Sequence, residues 1–82
     1  MSVNISVQFF ASYADSLGRS RMEVMLPEGS TVLDLARCIA AMPGAGFLPP
    51  NPLIAINQMY ASPAALLASG DEVAVIPPVA GG

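Results

Sequence analysis

The chain has 82 residues, of which 54% are apolar and only 11% charged; its net charge is −3, carried against three arginines and no lysine or histidine. That length makes one domain, the charge excludes a basic footprint for nucleic acid, and the lone Cys38 can close no internal disulfide and joins no Cys/His cluster of metal-ligand spacing. Without histidine or lysine the usual acid, base and nucleophile sets cannot be assembled inside this chain.

About 25% charged residues is usual, and a chain this short buries only about 60 to 65% of its unfolded surface. The apolar excess is more than one small core can hide, so a permanent partner covering part of the outside is expected. The N-terminus lacks the basic start and continuous apolar core of a signal peptide, and no run approaches a membrane span. A soluble cytoplasmic protein is therefore expected, with neither nucleic acid nor membrane among its partners.

Val3, Ile5, Val7 and Phe9 alternate with Asn4, Ser6, Gln8 and Phe10, the period of a strand with one face on a core, over about residues 2 to 10. Ala11 to Leu17 has room for one or two helical turns, and Gly18 sits where a helix C-terminus wants a positive φ. A second alternation sets Met22, Val24 and Leu26 against Arg21, Glu23 and Met25, and Pro27-Glu28-Gly29 ends it.

Thr31 and Asp34 are spaced as a capping box, and Val32, Leu35, Ile39 and Met42 follow on one helical stripe. This spacing predicts the principal helix over residues 32 to 42, with Asp34, Arg37, Ala41 and the apolar Leu33 facing outward. Cys38 lies beside the stripe and, with no base to form a reactive thiolate, reads as a structural buried thiol. Residues 43 to 52 form a loop dense in proline and glycine, after which Leu53 to Ile56 reads as a short buried strand and Asn57-Gln58 as a turn. Ser62-Pro63 has the form of an N-cap and first helical position, which predicts one helical turn over Ala64 to Leu67.

Gly70-Asp71 is a turn signal before the β-branched run Val73 to Ile76. Asp71 and Glu72 could be taken for a paired acid and base, but a turn entering a strand accounts for them better, because adjacent strand positions point to opposite faces. Pro77-Pro78 then offers no ladder donors and takes the chain out of the sheet as an extended arm. The arm, Pro77 to Gly82, could reach about 20 Å, and its tip presents only backbone and an α-carboxylate. At average glycine usage of about 7%, a chance Gly-Gly ending arises in about 0.5% of chains.

The ending Gly70-Asp-Glu-Val-Ala-Val-Ile-Pro-Pro-Val-Ala-Gly-Gly82 closely resembles the C-terminal signature of the small, sulfur-carrying subunits of molybdopterin synthase. Phe9 to Arg19 and Ile54 to Gln58 resemble the same family's first connection and the turn before its final strand. The resemblance implies an α+β, ubiquitin-like β-grasp fold: a mixed sheet of four to five strands, the first and last parallel neighbours in its middle, with one principal helix packed on one face. Residues 1–76 are then the domain and 77–82 the arm.

It further implies that Gly82 is the reacting residue, adenylated by an ATP-dependent activating enzyme and converted to a thiocarboxylate by a sulfurtransferase system. Pro77, Pro78, Val79, Ala80 and Gly81 thread the arm into a large catalytic subunit, two of each chain forming the assembly. Sulfur passes there to cyclic pyranopterin monophosphate, and the chain is a co-substrate rather than an enzyme on its own, with no permanently bound cofactor or metal. A thiamin-pathway sulfur carrier ranks second. A ubiquitin-like modifier of target lysines ranks third, with a pure interaction module last.

Overall fold

In a computed structural model, residues 1–46, 48, 49 and 52–77 are described. Seven elements follow in order: β1 (Ser2–Phe9), α1 (Ala11–Leu17), β2 (Arg21–Pro27), α2 (Val32–Ala40), β3 (Leu53–Ile56), β4 (Met59–Tyr60) and β5 (Glu72–Ile76). The strands form one mixed sheet in the order β2-β1-β5-β3-β4. β1 and β5 are its parallel centre, with Val7 opposite Val73 and Phe9 opposite Val75, while β2 and β3 pair antiparallel on either side. This is the β-grasp order expected from the resemblance.

The alternation read in β1 is realised: Val3, Ile5, Val7 and Phe9 are buried with Val24, Leu26, Ile54, Val73 and Val75 on one sheet face. α2 covers that face with Val32, Leu35, Ala36 and Ile39. Each fully buried Leu or Ile contributes about 1.5–3 kcal/mol. Asp34 and Arg37 point outward as expected. The helix is shorter than its apolar stripe suggested, ending at Ala40, and Met42 is only half-buried.

Both helix ends show how the chain handles its unpaired backbone groups. Gly18, at φ 75°, closes α1 with its N–H on the Ala14 and Asp15 carbonyls, and Arg19 N–H returns to Ala14. At the start of α2 the capping box forms, Asp34 N–H donating to Thr31 Oγ1 and Thr31 N–H to Asp34 Oδ2. The first two helical N–H groups, Val32 and Leu33, donate to the carbonyls of Ala65 and Pro63 at 2.9 and 3.0 Å.

Those bonds correct one expectation. Ala64 to Leu67 is not a helical turn, because the segment runs alongside the α2 N-terminus, bridging Leu66 to Thr31 and donating Leu67 N–H to Ser30 O. Its carbonyls complete another helix instead of starting their own. A second correction concerns Cys38, which is exposed. It lies about 100° around α2 from Ile39, far enough at 3.6 residues per turn to leave the sheet. β4, whose two residues no sequence signal marked, pairs with β3 through Ala55–Tyr60 and Ile56–Met59, so the sheet has five strands, within the four to five expected.

Candidate functional site: the sheet end from which the arm departs

The arm leaves from the C-terminal end of β5, and the topology decides what surrounds that point. β1 runs parallel to β5, so its C-terminal end, Phe9-Phe10, lies beside the exit; β2 and β3 run the other way, so their first residues lie there too. Phe10 is extended, and continuing the register by one residue sets it in a row with Ile76 and Leu53 on the sheet face opposite α2. Phe10 and Leu53 remain 41% and 44% exposed although large and apolar. The next row across the same face runs Arg21, Gln8, Ala74, Ala55 and Tyr60, and Tyr60 is 73% exposed.

A shallow depression of about 380 Å³ lies in this outer face, lined by Ser6, Gln8, Phe10, Arg21, Asn57 and Glu72 among others. Asn57 and Gln58 form its rim at the β3–β4 turn, both with positive φ, 49° and 72°. A two-residue hairpin turn of type I′ needs that conformation at both positions. The turn is tied down by side chains: Asn57 Nδ2 donates to Asp71 Oδ1 at 3.1 Å, Glu72 N–H donates to Asn57 Oδ1 at 3.0 Å, and Ala68 N–H donates to Asp71 Oδ2 at 2.8 Å. Asp71 is thus a turn-former, as its place before β5 suggested, and its carboxylate is occupied by structural donors.

A second groove, about 520 Å³, lies on the opposite side of the sheet end, between the outward side of α2 and the loop after it. Leu33, Ala36, Arg37, Ala40, Leu48 and Pro52 line it, which is where the outward-facing Leu33 is accommodated. Among the described residues no three Asp, Glu, Cys or His side chains gather as a cation site, and no helix is long and apolar enough to cross a membrane.

Of the arm residues singled out in the sequence, Pro77 is half-buried at the end of β5. Pro78, Val79, Ala80, Gly81 and Gly82 lie outside the described residues. What sequence reading misses is the apolar collar at the arm's base. Alternation places Phe10 on the outward face, but that Leu53 and Ile76 share its row follows only from the sheet order.

A five-stranded sheet under one main helix, whose last, central strand feeds Pro-Pro and then Gly-Gly, invites comparison with known carriers. The model of the ThiS family matches residues 7–82. The chain belongs to that family. Within it, the molybdopterin synthase sulfur carrier subunit of Chlamydomonas reinhardtii is 36% identical over 83 residues, spanning 98% of this chain and all of that one. A protein assigned as subunit 1 of molybdopterin converting factor from Pyrococcus furiosus superposes with a TM-score of 0.82 at 32% identity, over 94% of this chain and 99% of that one. A Helicobacter pylori protein solved as a complex of subunits 1 and 2 of molybdopterin-converting factor shares the fold, with a TM-score of 0.71 at 20% identity, over 98% of this chain and the whole of its own. The chain is therefore a member of the sulfur carrier subunits of molybdopterin synthase, and the apolar collar and the arm's base are to be read as features of such a carrier.

Proposed function

We propose that this chain carries sulfur as a thiocarboxylate on Gly82 and donates it to cyclic pyranopterin monophosphate in the making of molybdopterin. The observation that carries the reading is the coincidence of a carrier-family match reaching residue 82 with a sheet whose central strand hands the chain to Pro77 beside exposed Phe10 and Leu53.

A free carboxylate is a poor electrophile. Attack of the Gly82 carboxylate on the α-phosphate of ATP in an activating enzyme releases pyrophosphate and leaves an acyl adenylate. A persulfide on a sulfurtransferase then attacks the carbonyl and expels AMP, and a thiol cleaves the S–S bond of the resulting acyl disulfide, leaving the thiocarboxylate on Gly82 and a disulfide on the donor. Glycine suits both steps because no side chain shields the carbonyl and Gly81 leaves φ unrestricted for threading into a pocket. The catalytic groups for sulfur delivery belong to the large subunit, with Pro77, Pro78, Val79, Ala80 and Gly81 spanning its channel and the outer sheet face resting on its surface. The Helicobacter pylori neighbour, solved with its subunit 2, supports such a pairing; we assign two copies of each chain and a cytoplasmic setting. ATP is consumed by the activating enzyme and is not a resident cofactor of this chain.

A second reading, a carrier for the thiamin pathway, rests on the Gly-Gly ending that such carriers share with this chain. Both are tested by thermal melting of wild type, Gly82→Ala and a chain lacking Gly82, beside ATP-dependent adenylation and sulfur delivery to each acceptor. The expected result is melting unchanged to within about 0.5 kcal/mol, together with loss of delivery in the deletion. Thiolation is read directly from the intact mass, which rises by about 16 units when sulfur replaces one oxygen of the terminal carboxylate, a covalent modification like any other. A deletion that delivers sulfur at the wild-type rate sinks the assignment, and delivery only to the thiamin-type acceptor selects the second reading.

A further inference from the structure

We propose that the arm end of the molecule is a cationic docking face, made by Arg19, Arg21 and Arg37, for a protein partner whose arm-receiving mouth is ringed by carboxylates. The proposal rests on the carrier reading above, since it supposes a partner that takes the arm.

The chain's charges are sorted along the sheet. Arg21 opposes Gln8 at the C-terminal end of β1, and Arg19 precedes Ser20, whose carbonyl accepts from Phe9 N–H. Arg37 lies in the last turn of α2 and lines the groove that ends at Pro52, the residue before Leu53, which pairs with Ile76. All three arginines, the whole of the side-chain positive charge, thus stand at the end where the arm departs. Among the described residues, Asp15 of α1 is the one side-chain carboxylate of that end. Glu23 and Glu72 sit at mid-sheet, both opposite Ser6 and one row from Arg21, while Glu28, Asp34 and Asp71 lie toward the other end, beside Met1, the α2 N-terminus and the turn before β5.

The two sets also differ in employment. Asp34, Asp71 and Glu23 accept hydrogen bonds from Thr31 N–H, from Ala68 N–H and Asn57, and from Asn4 respectively. Among the described residues no guanidinium has an ion-pair or hydrogen-bond partner, and all three are exposed. Arginine presents a planar fork matched to carboxylates and is weakly hydrated, so it is suited to pairing across an interface. Arg19 and Arg21 stand on the β2 side of the exit and Arg37 on the helix side, so the free donors bracket the point where β5 ends. With a net negative body behind them, they orient an approaching carrier arm-first toward an anionic rim. Such steering raises association rates by about 10 to 1,000-fold and fades with salt. Rim charges of this kind act on association more than on dissociation.

The test is stopped-flow association of the full chain with the separately purified large subunit from the same cells. It is run from about 0.01 M to about 1 M salt, over which the Debye length falls from about 30 Å to about 3 Å. The proposal expects the wild-type association rate to fall at least about tenfold across that range. Arg19→Glu/Arg21→Glu and Arg37→Glu should each lower the low-salt rate, together at least about tenfold, with melting and dissociation unchanged. Arg→Gln versions, which only neutralise, should fall between and serve if a reversal perturbs folding. Reversed chains that associate as fast as wild type, or faster, while sulfur delivery persists overturn the docking face and leave the carrier reading standing. A wild-type chain that neither binds the large subunit nor delivers sulfur overturns both.

Discussion

Replacing Asn57 separates two contributions that the β3–β4 turn combines. Its side chain makes two hydrogen bonds, to Asp71 and from Glu72 N–H, and its backbone sits at φ 49°. Asn57→Gly removes the bonds but relaxes the backbone, so its expected cost is that of the bonds alone, about 1–3 kcal/mol at about 0.5–1.5 kcal/mol for each. Asn57→Ala removes the same bonds and adds a left-handed alanine, a further cost of about 1–2 kcal/mol. For a domain of this size each kcal/mol corresponds to about 4–8 °C in Tm, so the alanine variant should melt at least about 4 °C below the glycine variant, and both below wild type. Urea denaturation with equal m-values checks that the unfolded states are comparable. If the two variants unfold together, the backbone conformation carries no cost; if both match wild type, the Asn57–Asp71 lock is not a support of the fold.

Gly44 lies at φ 86°, and a Cβ added there would meet Ser16 O at 2.8 Å, a backbone atom at the end of α1 that cannot swing aside. Gly44→Ala should therefore cost about 2–4 kcal/mol by thermal or urea melting, and a cost under about 0.5 kcal/mol would show that the 43–46 loop does not rest on α1. Cys38, exposed on α2, should be alkylated in the native protein without denaturant. Labelling that begins only as the chain unfolds would restore the buried thiol that the helical stripe suggested.

The parts of this fold legible in the sequence are those with a strong period or a strong local signal. β1 and β2 announce themselves by alternation, Thr31 and Asp34 by their spacing, and Gly18 by the need for a positive φ at the end of α1. β4 is two exposed residues held by a hairpin and has no period to detect. Ser62-Pro63 has a helix-start signature that loses to tertiary demand, because α2 needs the Pro63 and Ala65 carbonyls. Arg19, Arg21 and Arg37 look scattered in the sequence and meet only through topology, since β2 begins and α2 ends at the same end of the sheet. The Gly81-Gly82 tip, proposed to carry the sulfur, is the reverse case: its signature is in the sequence, while its placement lies outside the described residues.

The parallel pairing of β1 with β5 has a consequence for how the molecule is made. β5 is the middle strand, flanked by β1 and β3, and among the described strands it is the last in chain order. A chain broken off before Ile76 lacks the centre of its sheet and leaves β1 and β3 with no neighbour in common, so it has little left around which to condense. Such non-local pairing makes for slow folding, but it also acts as a completeness check. Prematurely terminated or clipped chains that have lost β5 have no folded body with which to occupy a partner, so the molecules that do fold are those whose synthesis has already reached the threshold of the arm.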